Sequence, residues 1–172
     1  MPTTYTPIRY PGGKTKLYPQ IKRIFEANNL RGCTYYEAFA GGAGLACKLL
    51  LKEEVNRIVI NDIDRAVYCM WLMIVRNPDE LCRFIDNAQL NVKEWQAHRK
   101  TYLNQDSVSD SDLGKSAFYL NRTNMSGIIK GGLIGGQSQT GKYKMDARFN
   151  KTTLKSKIKA LSSKSDSIQI EN

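Results

Sequence analysis

Histidine is almost missing from this chain. His98 is the only one, and it lies in a polar helix pattern that suits a surface or partly buried structural residue better than a catalytic one. The four cysteines, Cys33, Cys47, Cys69 and Cys82, contain no C-x-x-C pair and sit in apolar element patterns. They read as reduced core residues, not as zinc ligands. No apolar run approaches the length of a membrane span, and no charged-then-apolar leader opens the chain, so a cytoplasmic protein with no membrane partner is expected. Proline stops at Pro78, and no internal repeat or low-complexity tract is present. Acids are the scarcer charge: 16 Asp and Glu against 26 Lys and Arg leave a net +10. With 172 residues the chain can bury one core, or one core and a small lobe.

What is present concentrates in a few segments. Tyr35-Tyr36-Glu37-Ala38-Phe39-Ala40-Gly41-Gly42-Ala43-Gly44 runs from an apolar, aromatic stretch into a glycine loop and then a helix pattern. The next apolar run, Arg57–Ile60, closes on Asn61-Asp62-Ile63-Asp64, which puts Asp62 about 20 residues past the loop, the spacing of a ribose-binding acid. Glycines let the backbone approach a ligand, and a carboxylate after the second strand accepts from a pair of ribose hydroxyls. The loop lacks a full G-x-G-x-x-G, so alone it equally fits a glycine-rich turn beside a surface Asp. Ile8-Arg9-Tyr10-Pro11-Gly12-Gly13-Lys14 adds a base, an aromatic, a rigid turn and a lysine in front of a helix. In that helix Leu17, Ile21, Ile24 and Phe25 share one face, with Pro19 early enough to be tolerated. Lys14 at the helix start opposes the dipole unless an anion sits there.

Charge is unevenly spread. From Arg122 to Lys159 there are nine Lys or Arg and one acid, Asp146. A basic strip of this kind is the footprint of phosphate binding, although a solvated basic surface has the same composition. Glycines at 127, 131, 132, 135, 136 and 141 in the same stretch suggest a flexible loop or hairpin with protruding charges.

The pattern predicts a helix over Lys14–Asn28, a strand over Cys33–Phe39, a helix over Leu45–Lys52, a strand over Arg57–Ile60 and a strongly apolar helix over Asp64–Val75. Asn77-Pro78-Asp79-Glu80 reads as a capped helix start. Helices are expected over Asp79–Ala88, Val92–Asn104 and Leu113–Asn121, with a polar turn at Asp106–Asp112 between the last two. A helix over Lys151–Leu161, a polar turn over Ser162–Ser167 and a strand over Ser167–Ile170 complete the chain. The class is α/β: a Rossmann-like core interrupted by a helical lobe and a glycine-rich β-hairpin.

Taken together, these segments resemble the Dam-type (D12 class) adenine-specific DNA methyltransferases. An aromatic-x-Gly-Gly-Lys segment (Tyr10 to Lys14), an acidic-x-Phe-x-Gly-Gly-x-Gly loop (Glu37 to Gly44) and an Asp-Ile pair ending the second strand (Asp62-Ile63) occur in the family's order. Phe118 to Ile128 resembles the family's segment at the DNA interface, and Gly141-Lys142-Tyr143-Lys144 and Arg148 to Lys151 resemble those that follow it. The resemblance implies methylation of adenine N6 in double-stranded DNA with S-adenosyl-L-methionine as cofactor. It implies that Tyr10, Pro11, Gly12 and Lys14 flank the methionine end, that Glu37, Phe39, Gly41 and Gly44 line the loop, that Asp62 takes the ribose and that Ile63 packs on the adenine. On the DNA side it implies Arg9, Asn121, Arg122, Asn124, Met125, Ser126, Ile128, Lys130, Lys142 and Lys144. Met125 stands where the family often has an aromatic wedge. The implied domains are 1–75 for cofactor binding, 76–150 as the recognition lobe and 151–172 as the return to the core.

Family members also carry an Asp-Pro-Pro-Tyr type motif, and no proline follows Pro78 here. By resemblance the chain is therefore expected to be an incomplete core, inactive by itself, with the missing C-terminal half as a possible partner. Two alternatives remain: a non-enzymatic DNA-binding relative, and a dinucleotide-dependent oxidoreductase suggested by the glycine loop alone.

Overall fold

Ile58, Val59 and Ile60 are β-branched and buried, and their run, Arg57–Asn61 (β2), is the central strand of a three-stranded parallel sheet. The computed structural model describes residues 4–172. Thr34–Glu37 (β1) flanks β2 on one side, Tyr35 opposite Ile58 and Glu37 opposite Ile60. Ile168–Glu171 (β3) flanks it on the other, Ile168 opposite Ile58 and Glu171 opposite Asn61. Parallel neighbours need crossovers, and the two here differ greatly in size. Gly44–Leu51 (α2) joins β1 to β2, whereas five helices lie between β2 and β3.

The first of these five, Arg65–Val75 (α3), is apolar almost all round and correspondingly buried on most sides. Asp64 starts it by accepting the Ala66 N–H at 2.9 Å. Asp110–Thr123 (α6) packs against α3 so closely that a Cβ on Gly114 would lie 2.5 Å from the Cys69 carbonyl oxygen. Val92–Leu103 (α5) packs on α6 in turn. There the His98 ring lies 4.2 Å from the Tyr119 ring, and its Nδ1 is 3.0 Å from Ser116 Oγ, a partly buried structural setting as expected. Pro78–Asn87 (α4) pairs with Lys151–Ser162 (α7), and α7 also reaches α2 and α3. A single hydrophobic cluster takes side chains from all three expected spans.

Four local expectations need correction. The first helix divides into a 3-10 turn, Lys14–Leu17, and a regular helix, Tyr18–Ala27 (α1), with Pro19 in its first turn. Phe25 is buried, but Leu17 and Ile24 are about half exposed, because α1 covers the core along one narrow edge. Asn77 makes no side-chain cap, and α4 begins directly on Pro78. α6 begins three residues earlier than its apolar periodicity suggests: Ser109 Oγ accepts the Asp112 N–H and donates to the Asp112 carboxylate. The expected β-hairpin does not form. Between Asn124 and Asn150 the sole sheet-like pairing among the described residues is an isolated bridge, Asn124 to Leu133, and the rest is turns and short 3-10 segments.

Cys47, Cys69 and Cys82 are buried, while Cys33 is half-buried. Burial raises all three buried thiols above the usual range, Cys69 to about 12. Ellman's reagent should therefore titrate Cys33 well before the others in native protein, and all four in guanidinium. Rapid reaction of more than one thiol under native conditions would contradict this packing.

Candidate functional site: a glycine loop beside an asparagine-held loop

β1 ends on Glu37, and the chain then turns through 38–43 into α2. Gly41 takes a positive φ of 47°, and its peptide groups are tied on both sides. Its N–H donates to Asp62 Oδ2 at 2.7 Å, and its carbonyl accepts from Trp71 Nε1 at 2.9 Å. A side chain at Gly41 would meet the Tyr10 ring at 2.7 Å, and one at Gly44 would fall inside the contact radius of Thr15 Oγ1. The glycines are thus required by the chain from Tyr10 to Thr15, which lies directly on the loop.

Lys14 is the second tie. Its ammonium donates to Glu37 Oε1 at 3.1 Å and to the Phe39 carbonyl at 2.7 Å. Glu37, 3% exposed, also accepts the Ala46 N–H through Oε2. The anion that a lysine at a helix start calls for is therefore Glu37. Asp62, largely buried, holds the Gly41 and Asp64 N–H groups, which leaves lone pairs on both carboxylate oxygens for further donors.

A cavity of about 450 Å³ opens between these segments. Of the expected cofactor residues, Tyr10, Gly12, Lys14, Glu37 and Gly44 line it. Pro11, Phe39, Gly41, Asp62 and Ile63 do not; Phe39 and Ile63 project almost fully into solvent, at 81% and 89% exposure, past the carboxyl ends of β1 and β2.

The expected DNA residues fall into two groups. Asn121 and Asn124 are buried. Asn121 Oδ1 accepts the Arg9 N–H at 2.9 Å, while its Nδ2 donates to the Arg9 and Gly127 carbonyls. Asn124 accepts from Trp95 Nε1 at 2.7 Å and donates to the Ile128 and Ile129 carbonyls. Arg9 donates to the Asn124 carbonyl, and Arg122 uses its guanidinium on the Pro7 and Arg148 carbonyls. Burial next to Arg9 and Arg148 depresses the Arg122 pKa. Met125, Ser126, Ile128 and Lys130 form the exposed tip above this frame, with Ser126 at φ 55° and Gly127 at φ 76°. Lys142 and Lys144 are exposed and make no ion pair among the described residues.

The basic stretch is not one strip. Lys151 and Lys155 are tethered to Asp86 and its neighbours on α4, and Lys157 to Thr4 and Thr6. Sequence reasoning missed Trp71 and Thr15. Trp71 carried a usable signal, since a tryptophan in an all-apolar helix must find a partner for its indole N–H.

The model of the D12 class N6 adenine-specific DNA methyltransferases matches residues 10–172, and the chain belongs to this family. Among curated proteins, the Type II methyltransferase M.MjaIII of Methanocaldococcus jannaschii is 24% identical over 170 residues, covering 90% of this chain and 58% of that protein. The chain therefore spans less than two thirds of this relative's length.

Proposed function

We propose that this protein is a site-specific DNA methyltransferase acting on adenine N6 in double-stranded DNA with S-adenosyl-L-methionine as donor, and that residues 1–172, which carry no Asp-Pro-Pro-Tyr type motif, supply cofactor and DNA binding without turning over by themselves. The observation that carries the reading is the glycine loop, held by Asp62 and Trp71 and packed against Tyr10 beside a cavity of about 450 Å³. The donor set suits the cofactor. Lys14 and the turn at Gly12 flank the methionine end, Asp62 keeps acceptor capacity for ribose hydroxyls, and Phe39 and Ile63 offer exposed apolar surface for an adenine ring. When bound, S-adenosyl-L-methionine supplies the electrophilic methyl; the chain's residues orient it and present the duplex. In this reading the parallel sheet belongs to a Rossmann-like core, 1–75 and 151–172 belong with it, and 76–150 is an inserted recognition lobe.

On the DNA side, Met125, Ser126, Ile128 and Lys130 meet the groove, while Asn121 and Asn124 act from beneath by fixing the backbone of that tip, and Arg122 ties the Pro7 and Arg148 carbonyls together beside it. Lys142 and Lys144 are phosphate contacts, which set register without reading sequence. Replacing both by alanine should weaken binding to all duplexes alike and reduce the slope of log K against log salt by about two. An unchanged slope would remove them from the interface.

The reading is tested by calorimetric titration with S-adenosyl-L-methionine, with NAD as comparator, followed by duplex DNA. Binding of the sulfonium cofactor in preference to NAD is the expected result. Preference for NAD, or no affinity for either cofactor or DNA, would overturn it.

A further inference from the structure

The tip between Asn124 and Gly131 is tied at both ends to one tryptophan of α5. Trp95 is buried and donates its indole N–H to Asn124 Oδ1 at 2.7 Å. Asn124, also buried, spends its two amide protons on the Ile128 and Ile129 carbonyls, at 3.1 and 2.8 Å. An indole nitrogen only donates, so Trp95 decides which way this amide faces: oxygen toward α5, nitrogen toward the tip. At the other end the Arg99 guanidinium lies 5.2 Å from the centroid of the Trp95 ring and donates to the Gly131 carbonyl at 3.2 Å. Trp95 and Arg99 are four residues apart, which places them on one face of the helix. α5 itself is packed on α6, so the tip is referred to a rigid pair of helices.

We infer that Trp95 is a positioning residue for sequence discrimination: it sets the path of the chain from Asn124 to Gly131, and with it the direction in which Ser126, Ile128 and Lys130 meet the bases. This role presupposes DNA as substrate and extends that reading to α5, which touches no DNA in it. A tryptophan that merely fills the space beneath the tip would differ in one respect. Shape alone would then suffice, and the N–H would be dispensable. Where the N–H matters, its removal leaves Asn124 Oδ1 buried without a donor. The amide then gains by rotating, which releases the Ile128 and Ile129 carbonyls. Contacts to base edges fail under such a displacement because hydrogen bonds weaken steeply with angle and distance. Phosphate contacts by the flexible, exposed Lys142 and Lys144 do not, so discrimination is lost while general affinity is kept.

The test is selection of retained duplexes from a random-sequence pool by the wild-type chain, by Trp95→Phe, and by a chain with benzothienylalanine incorporated at position 95. The last has the shape of tryptophan with sulfur in place of the indole N–H, and it keeps the packing should Trp95→Phe fail to fold. Each selection is run below that chain's own melting transition, and affinity for one mixed-sequence duplex is measured alongside. Wild type should enrich one set of related sequences. Both substituted chains should lose that enrichment by about tenfold, the worth of one good base contact, with mixed-sequence affinity within about twofold of wild type. Wild-type enrichment in the benzothienylalanine chain would make Trp95 a filler of space and overturn the inference. So would an equal loss for all duplexes, or retention by the wild type without sequence preference; DNA binding would stand in each case. Retention of no duplex by the wild type would overturn the DNA reading, and this role with it.

Discussion

Replacing Asp62 by alanine should weaken S-adenosyl-L-methionine binding by a hundredfold or more. A carboxylate that accepts from two ribose hydroxyls makes two charge-assisted bonds, each worth about 1.5–3 kcal/mol. The lower bound, about 3 kcal/mol in total, already corresponds to roughly two decades of affinity. The same carboxylate holds the Gly41 and Asp64 N–H groups, so the variant also loosens the loop that would cover the ligand. Some loss of stability will accompany the loss of affinity, and the two are separable: calorimetry is run below the variant's own melting transition. Unchanged affinity in folded Asp62→Ala would remove this residue from the cofactor site.

Glu37→Ala should lower stability by about 3 kcal/mol, because it leaves the buried Ala46 N–H without its acceptor and takes the carboxylate out of the pair with Lys14. Glu37 is 3% exposed and bonds both Lys14 and the Ala46 N–H. Lys14 keeps access to water and to the Phe39 carbonyl, so most of the cost falls on the Ala46 N–H. In a chain of this size each kcal/mol moves the melting temperature by roughly 2–4 °C, so a fall on the order of 10 °C is expected. Glu37→Gln should recover part of it, since an amide oxygen can still accept from Ala46 or Lys14. A melting temperature unchanged in Glu37→Ala would mean that the Lys14 segment is held by other contacts.

Much of this arrangement was legible in the residues. Apolar runs bounded by turn residues located β1, β2 and β3, and the helices from Arg65 onward followed their 3.6 periodicity. The glycine loop, Asp62 and the Tyr10–Lys14 segment lie together, a proximity that the family resemblance implied and the segment's own residues did not. The hairpin failed for a physical reason. The stretch from Gly131 to Gly141 has no alternation to give it a buried face, and the Gln139 side chain takes up the Ile134 carbonyl and the Met145 N–H that a ladder would have used. Asn121 and Asn124 were expected at the DNA interface through the family resemblance, and both are buried. They lie three apart at the end of α6, immediately after the buried Phe118, Tyr119 and Leu120, and that position turns them inward. The paired lysines of α7 were invisible for another reason: their partner Asp86 is some 70 residues away in the chain, a distance no local pattern spans.

Asn121 joins two stretches of chain 112 residues apart by imitating a peptide group. Its amide takes the Arg9 N–H and gives to the Arg9 carbonyl, the exchange a neighbouring strand would make, and adds a bond to Gly127. One side chain thereby gauges the separation between the Tyr10–Lys14 segment and the tip at Met125. The outward residues of that tip, Met125, Ser126, Ile128 and Lys130, contribute no side-chain hydrogen bond to the gauge. Changing their side chains leaves the bonds beneath them in place, as a tool bit is swapped in a fixed chuck.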